Sequence, residues 1–363
     1  MKAPLVSVCL PSINTFPFLR ERVDTILAQT YTNWELVVVD SFSNDGSWEL
    51  FEKLAQSDKR VSIVQAPRGL YQSWNNCIQR TTGEYVYIAT SDDTMAPDCL
   101  EKMVAALEEH PDCGLAQCKL AIIDQDGKPK LDYTGWRYGT VFGGELKGLL
   151  DRPHIRRAPF DGLLHLTGLM VHLSVTELLI RRSLFDRIGE FETQWGSIGD
   201  RNWEMKAGLA ANTVFVPDTW ASWRVHPANA SALLKVHSPD YCLKVEEMIE
   251  NAVSKCESYL APEVLDGLRG RWLERSRAMR NYYASLASMG TVRRRIFQMK
   301  EIYRGDSAAR CELLQRFRGQ PNWIDRCPLE LKDWLETVGA GPVLVDLGNS
   351  PIGVSDKCAL SEA

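Results

Sequence analysis

The chain has 363 residues, of which 45% are hydrophobic and 25% charged, with a formal net charge of -5. Such a composition belongs to a folded globular protein with enough apolar material for a sizeable core, and the length to two domains or one large domain with an appendage. The acidic balance supplies no overall basic field, which argues against a nucleic-acid partner.

The first third alternates short apolar runs with amphipathic segments. Residues 5–10 read as a strand, and 18–29 as a helix with Leu19, Val23, Ile26 and Leu27 on one face. Residues 35–39 form a second strand ending in Asp40, and the polar turn Ser43-Asn44-Asp45-Gly46-Ser47 opens a helix at 48–55. A strand at 61–64, a helix at 71–80 and a strand at 85–89 follow, the last running into Thr90-Ser91-Asp92-Asp93. Pro97 starts a helix that reaches His110. This alternation predicts a parallel, doubly wound sheet, in which ligands bind at the carboxyl ends of the strands. Three polar clusters fall there in succession: Pro11 to Asn14, Asp40, and Asp92 with Asp93.

Between 115 and 216 the pattern is mixed, with strands expected at 178–180 and 214–216 and a helix at 201–210. After about Ser231 helical spacing takes over, in Tyr241, Val245, Met248, Ile249, Ala252 and Cys256, and again from Leu265 to Leu286. Further helices are expected over 292–303, 308–317 and 329–338. No run of about 18 apolar residues predicts a membrane span. The N-terminus lacks the length and cleavage site of a secretory signal, so a cytoplasmic setting is expected. The ten cysteines form no Cys-x-x-Cys pair, which reads as buried thiols rather than zinc ligands.

Adjacent acids such as Asp92 and Asp93 at the end of a buried strand repel each other and resist desolvation. Either a divalent cation holding a diphosphate compensates them, or they decorate a helix N-terminus. Asp40 accepts either the imide N–H of a uracil or thymine ring or the backbone of an Asx-turn.

The motifs taken together resemble family 2 of the inverting glycosyltransferases, which have the GT-A fold. "PSIN" resembles the family's Pro-Thr/Ser-x-Asn opening, and "ILAQTYTNWELVVVDSFSNDGS" its second-strand signature. "GLYQSWNNCIQRTTGEYVYIATSDDTMAPDCLEKM" resembles the segment carrying the metal motif, and "ELLIRRSLFDRIGEF", "GSIGDRNWEMKAG" and "WRVHPANAS" follow in the family's order. The six motifs cover 5–231. The resemblance implies a GT-A nucleotide-diphospho-sugar transferase domain over 1–231, a Rossmann-like, mostly parallel sheet with flanking helices. A helical domain at 232–340 and a loop or disordered tail at 341–363 complete the expected organisation.

The resemblance also implies roles. Asp200 becomes the catalytic base that takes a proton from an acceptor hydroxyl; taken alone it reads as a helix cap. Pro11, Ser12, Asn14, Asp40, Arg68, Asp92 and Arg224 become donor contacts, and Asp92, Asp93 and His226 ligands to Mn2+ or Mg2+. Arg224 pairs either with phosphate or with a local acid, and His226 is either functional or structural. Trp195 and Trp203 flank Asp200 and either shape an acceptor pocket or pack in the core. The implied substrates are a nucleoside-diphosphate sugar, UDP-linked by the family's commonest choice, and a glycan or lipid-linked acceptor, in surface polysaccharide assembly. Two departures stand out. Thr90 replaces the first acid of the usual Asp-x-Asp, and Gly199 replaces the acid before Asp200, so that either this partner acid is dispensable or Glu204, one helical turn on, replaces it.

Competing readings fare less well. A sugar-1-phosphate nucleotidyltransferase or a dinucleotide-dependent dehydrogenase calls for a glycine-rich loop after a strand, and strand 1 leads into Pro-Ser-Ile-Asn-Thr-Phe-Pro-Phe. A non-catalytic module that only binds nucleotide or glycan has no need of Asp40, Asp92, Asp93 and Asp200 together. "LRGRW" at 268–272 only faintly echoes the Gln-x-x-Arg-Trp of processive synthases, because the Gln is missing. The basic stretch Arg293, Arg294, Arg295, Lys300 and Arg304 either rests on an anionic membrane surface or forms a solvated helix face.

Overall fold

The computed structural model describes residues 3–130, 148–229, 238–287 and 323–348, with a few positions between 289 and 300. The opening alternation is β1 (Val6–Ser12), α1 (Phe16–Leu27), β2 (Trp34–Asp40), α2 (Ser47–Ser57), β3 (Val61–Gln65), α3 (Leu70–Ile78), β4 (Tyr85–Ile88) and α4 (Cys99–Glu109). Strands β3, β2, β1 and β4 lie side by side and parallel, as their spacing predicts. Pro11 falls near the end of β1, beyond the last residue that pairs with β4, so its missing N–H costs no ladder bond there.

The next stretch departs from simple alternation. It contains β5 (Cys113–Ile123), β6 (His154–Arg156), α5 (Phe160–Leu166), β7 (Leu178–Arg181), α6 (Ser183–Ile188), α7 (Gly199–Ala210) and β8 (Asn212–Arg224). Strand β7 inserts antiparallel between β4 and β5, and β8 pairs parallel with β5. The doubly wound parallel expectation therefore holds for the first four strands, and the whole is a mixed sheet. Between the two halves of the β5–β8 ladder, Pro217, Asp218 and Thr219 bulge out and leave Trp220 exposed.

Successive side chains of each buried strand point to opposite faces, and both faces are covered. Val6, Val8 and Leu10 with Tyr85 and Tyr87 meet α1 and α4. Cys9, Val86 and Ile88 face the other way, into a cluster shared with α3, α5 and α7. The C-terminal helices α8 (Pro239–Cys256), α9 (Pro262–Gly267), α10 (Leu273–Ala287) and α11 (Trp323–Thr337) join that second cluster through Val245, Met248, Ile249, Trp272 and Leu331. Residues 268–272 form a π-turn that buries Trp272 against Trp334. The stretch expected to be tail contributes β9 (Leu344–Asp346), an edge strand on β6. The helix expected over 308–317 lies outside the described residues, as do Arg295 and Arg304 of the basic stretch, while Arg293, Arg294 and Lys300 are exposed. The eight described cysteines are buried.

Helix α7 has its first turn beside the start of α3, just past the end of β3, through the contact of Asp200 with Tyr71. It can lie this close to α5 because both carry glycine at the crossing. A Cβ on Gly208 would stand 2.4 Å from the Gly162 backbone nitrogen, and one on Gly162 would stand 2.4 Å from that of Leu209. No flexible side chain is available to yield there. Gly208→Ala is therefore expected to lower stability by about 3 kcal/mol, read as a shift in urea midpoint at unchanged slope.

Candidate active site

The polar residues after β1 and β2 are laced together. Asn14 donates its N–H to Ser43 Oγ at 2.9 Å, and its side-chain oxygen accepts the N–H of Asn44 at 3.0 Å. Ser12 Oγ lies 3.0 Å from Thr15 Oγ1, and Ser41 N–H donates to the Ser12 carbonyl at 2.8 Å. Asp40 is buried, and its carboxylate accepts the N–H and hydroxyl of Ser43 and, at 3.4 Å, the amide of Gln65. It thus makes the Asx-turn as well as standing at the strand end, with its carboxylate wholly shielded from solvent. Arg68 is exposed on the turn into α3.

A second group gathers where β4 and β8 end. Arg224 is 1% exposed; its N–H donates to Asp93 Oδ1 at 2.7 Å and its Nε to the Asp92 carbonyl at 2.6 Å. Its remaining nitrogens reach the carbonyls of Asp124 and Gln125 and, at 2.6 Å, the carboxylate of Glu21. Arg224 is thereby paired with a local acid and carries no free face for phosphate. Asp93 is 1% exposed and also accepts a hydrogen bond from the Thr90 hydroxyl. Burial first, then the neighbouring Asp92 charge, pushes its carboxyl up to about 8. Asp92 is the more open of the two, with 20% of its side chain exposed. Its Oδ2 lies 2.9 Å from His226 Nε2 and 3.3 Å from Asn229 Nδ2. The His226 ring stacks on Phe18 at 4.7 Å, which fixes its orientation.

Asp92 Oδ2 and His226 Nε2 are oxygen and imidazole donors of the kind that suit Mn2+ or Mg2+. Two protein ligands at a solvent-facing edge leave the rest of a coordination sphere to water and diphosphate oxygens. Among the described residues no group of three or more His, Cys, Asp or Glu side chains is arranged to hold a metal without such help.

The third group surrounds Asp200, in the first turn of α7 rather than at its cap. Asp200 Oδ1 accepts from the Tyr71 hydroxyl at 3.0 Å and from the Arg201 N–H at 2.8 Å. Burial raises its carboxyl above the usual range, and these hydrogen bonds oppose that rise. Tyr71 also explains Gly199: a Cβ there would stand 2.6 Å from the Tyr71 ring and 2.9 Å from the Glu192 carbonyl. Where the family pattern has an acid, this chain has a buried aromatic ring. Glu204 lies one turn on from Asp200, buried, with Oε2 unpartnered; burial, Asp200 and Glu177 hold its carboxyl well above the usual range.

Trp195 is mostly buried beside Asp200. Trp203 is 0% exposed, sandwiched between Phe185 and Phe191, and its indole N–H donates to the Gly189 carbonyl. It is a core residue and offers no face to an acceptor. Flanking Asp200 in sequence misled here, because position 203 points inward from a helix that is buried on almost every side. Tyr71, Asn229, Glu21 and Phe18 were not singled out in the sequence. Tyr71 sits in an apolar helical pattern that gives its hydroxyl no signal.

A family model described as glycosyl transferase family 2 matches residues 7–189. TuaG of Bacillus subtilis (strain 168), a glycosyltransferase assigned to teichuronic acid biosynthesis, is 31% identical over 128 residues, 35% of this chain and 50% of that protein. The glycosyltransferase EpsE of the same organism is 33% identical over 127 residues, 34% of this chain and 46% of the other. The chain thus spans about half the length of these curated relatives. The crystal structure of S. aureus TarS 1-349 in complex with UDP-GlcNAc aligns with a TM-score of 0.52 at 17% identity, covering 79% of this chain and 82% of that one, a likeness of fold. The chain belongs to glycosyl transferase family 2 and has the GT-A fold.

The segment that delivers Asp200 is tethered through Glu192. Its carboxylate accepts from Lys206 Nζ and Lys255 Nζ, each at 3.0 Å, and so ties the loop before α7 to both α7 and α8. Burial pulls this carboxyl upward, but the two lysines outweigh it and bring it down to about 2. A depressed acid contributes stability above its unfolded value of about 4.3 and loses it as pH falls toward the folded one. Glu192→Gln is expected to cost about 2 kcal/mol at neutral pH. The deficit, followed by urea unfolding, should narrow steadily below about pH 4.5.

Proposed function

We propose, from its membership in family 2, that this chain is an inverting glycosyltransferase that moves a sugar from a nucleoside-diphosphate donor, UDP-linked in the first instance, to a hydroxyl of a glycan or lipid-linked acceptor. The observation that carries the reading is the gathering of Asp92 with His226, and Asp200 with Tyr71, along the edge where the strands end. The nucleoside lies over the laced loops of Asn14 and Asp40, with Arg68 at their margin, and the diphosphate beside Asp92.

Asp92 and His226 would hold a divalent cation, which would offset the negative charge that grows on the leaving diphosphate. Asn229 and the stacked Phe18 hold those two side chains in place. Asp93 stays behind them as a buried acceptor for Thr90 and the Arg224 backbone. At Asp200 the unoccupied carboxylate oxygen, Oδ2, takes the acceptor's proton, while Oδ1 is held by Tyr71 and Arg201. Displacement from the face opposite the diphosphate inverts the anomeric carbon in one step. Trp195, buried shortly before Asp200 in the chain, is assigned to the acceptor side. The relatives assigned to polysaccharide assembly support a setting in surface polysaccharide biosynthesis. No helix among the described residues is long and apolar enough to cross a membrane; a lipid-linked acceptor would be met at the membrane surface.

Release of nucleoside diphosphate from a panel of UDP-, dTDP- and GDP-sugars, with Mn2+ or Mg2+ and then with EDTA, tests the assignment. One donor should be turned over in a metal-dependent way, and Asp92→Ala should abolish that dependence. Asp200→Asn should lower transfer to an acceptor by about 100-fold or more. The reading fails if no nucleotide of the panel binds with metal, or if the Asp200 variant transfers at the parental rate.

Tyr71→Phe gives a finer check. Its hydroxyl bond favours the ionised form of Asp200, so its loss raises the Asp200 carboxyl further. Because a base works only when deprotonated, the acid limb of the pH–rate profile should move to higher pH, with transfer below that limb reduced about tenfold. A limb that stays in place would show that the hydroxyl does not govern Asp200.

A further inference from the structure

Phe42 has a left-handed backbone, φ 58, in the loop after β2. Among the described residues only Asn14 shares that property outside glycine. Asn tolerates the left-handed region, whereas a bulky side chain there is a true outlier. The conformation is imposed from both sides. Ser41 N–H is fixed to the Ser12 carbonyl, Ser43 is held by the Asp40 carboxylate, and Asn14 clasps Ser43 and Asn44. Glycine would meet this demand without strain, yet the position holds phenylalanine.

Packing does not account for the choice. The ring is 59% exposed, more than any other large hydrophobic side chain of the described residues except Leu243. A strained backbone and an unburied ring both cost stability, and nothing in the fold returns it. Such strain, over-determined by its surroundings, is what functional sites retain. The ring stands two residues beyond the end of β2, on the loop that Asp40 and Asn14 hold, at the edge where the strands end.

Resting on the nucleotide-sugar reading above, we propose that Phe42 is the stacking platform for the donor's nucleobase. The aromatic face takes the flat heterocycle while polar groups of the laced loops take its edge. Stacking of a base on an aromatic ring is lost on truncation to alanine and is tolerant of base identity. The platform therefore strengthens binding of any nucleoside diphosphate, and choice among bases falls to the edge contacts.

The test compares the parent protein with Phe42→Gly, Phe42→Ala and Phe42→Trp by calorimetric titration with UDP, dTDP, GDP and pyrophosphate, each with Mn2+, and by thermal unfolding. Affinity for the preferred nucleotide should fall about tenfold in both the Gly and Ala variants and be kept in the Trp variant. Pyrophosphate, which has no base, should bind all four proteins alike. The Gly variant alone should melt about 2 °C higher than the parent, since it alone relieves the backbone. Lost affinity in a more stable protein cannot arise from misfolding. Nucleotide affinity unchanged in the Gly and Ala variants overturns the proposal, as does an equal loss for pyrophosphate, which would mean that the ring shapes the loop rather than the base site. A parent protein that binds none of the three nucleotides overturns the nucleotide-sugar reading and this platform with it.

Discussion

Arg224 is the point through which the candidate site is held together. A guanidinium that is almost wholly removed from water is tolerated only when its donors are met. Here they are met by three separate parts of the chain: the Asp92 carbonyl after β4, the carbonyls of Asp124 and Gln125 after β5, and the Glu21 carboxylate on α1. The backbone N–H of the same residue satisfies Asp93. The end of β8 is thereby locked to the turn that carries the two acids, and His226, two residues on, arrives beside Asp92. A side chain that reads in the sequence as either a phosphate contact or the partner of a local acid thus acts as the bracket that brings His226 to Asp92.

The same logic explains why Asp93 and Asp92 divide their work. Two ionised carboxylates side by side in a buried turn are unfavourable, and one relief is for one of them to be kept inside and hydrogen-bonded. Thr90 supplies a hydroxyl to Asp93, so the missing first acid of the usual motif is replaced by a donor that the buried acid needs. The fully buried Arg22, whose guanidinium lies over the Tyr87 ring, adds a positive charge that favours ionised Asp93. Asp92 is left facing solvent, where a ligand can reach it.

Much of this was legible in the sequence, and the reasons differ by region. Strands β1 to β4 announce themselves because each is a short apolar run closed by a polar turn, and a parallel sheet puts all those turns on one edge. Asp40, Asp92 and Asp93 fall on that edge for this reason. The second half is less legible. The antiparallel insertion of β7 is a matter of pairing, which periodicity does not encode, and the bulge at Pro217 to Thr219 breaks the register without a glycine to mark it. Trp203 misled because proximity in sequence to Asp200 says nothing about which way a helix position faces. The pair Gly162 and Gly208 carried no visible signal either, since each reads as a weak point in a helix until the partner helix is seen.

Gly199 shows how a departure from a family pattern can be read physically. The acid expected there is absent because the Tyr71 ring occupies the space its side chain would fill. The hydroxyl of that ring then donates to Asp200, so the position has exchanged a second negative charge for a neutral donor. A second carboxylate would push Asp200 toward its protonated form, and burial already pushes that way. A tyrosine pulls in the opposite direction and keeps the carboxylate available as an acceptor of protons. The buried Glu204 fits the same balance. It lies one turn along α7 with its carboxyl held well above the ordinary range by burial, Asp200 and Glu177, which disfavours a second charge beside Asp200. The departure at 199 and the raised acid at 204 act in the same direction, against a second negative charge at the head of α7.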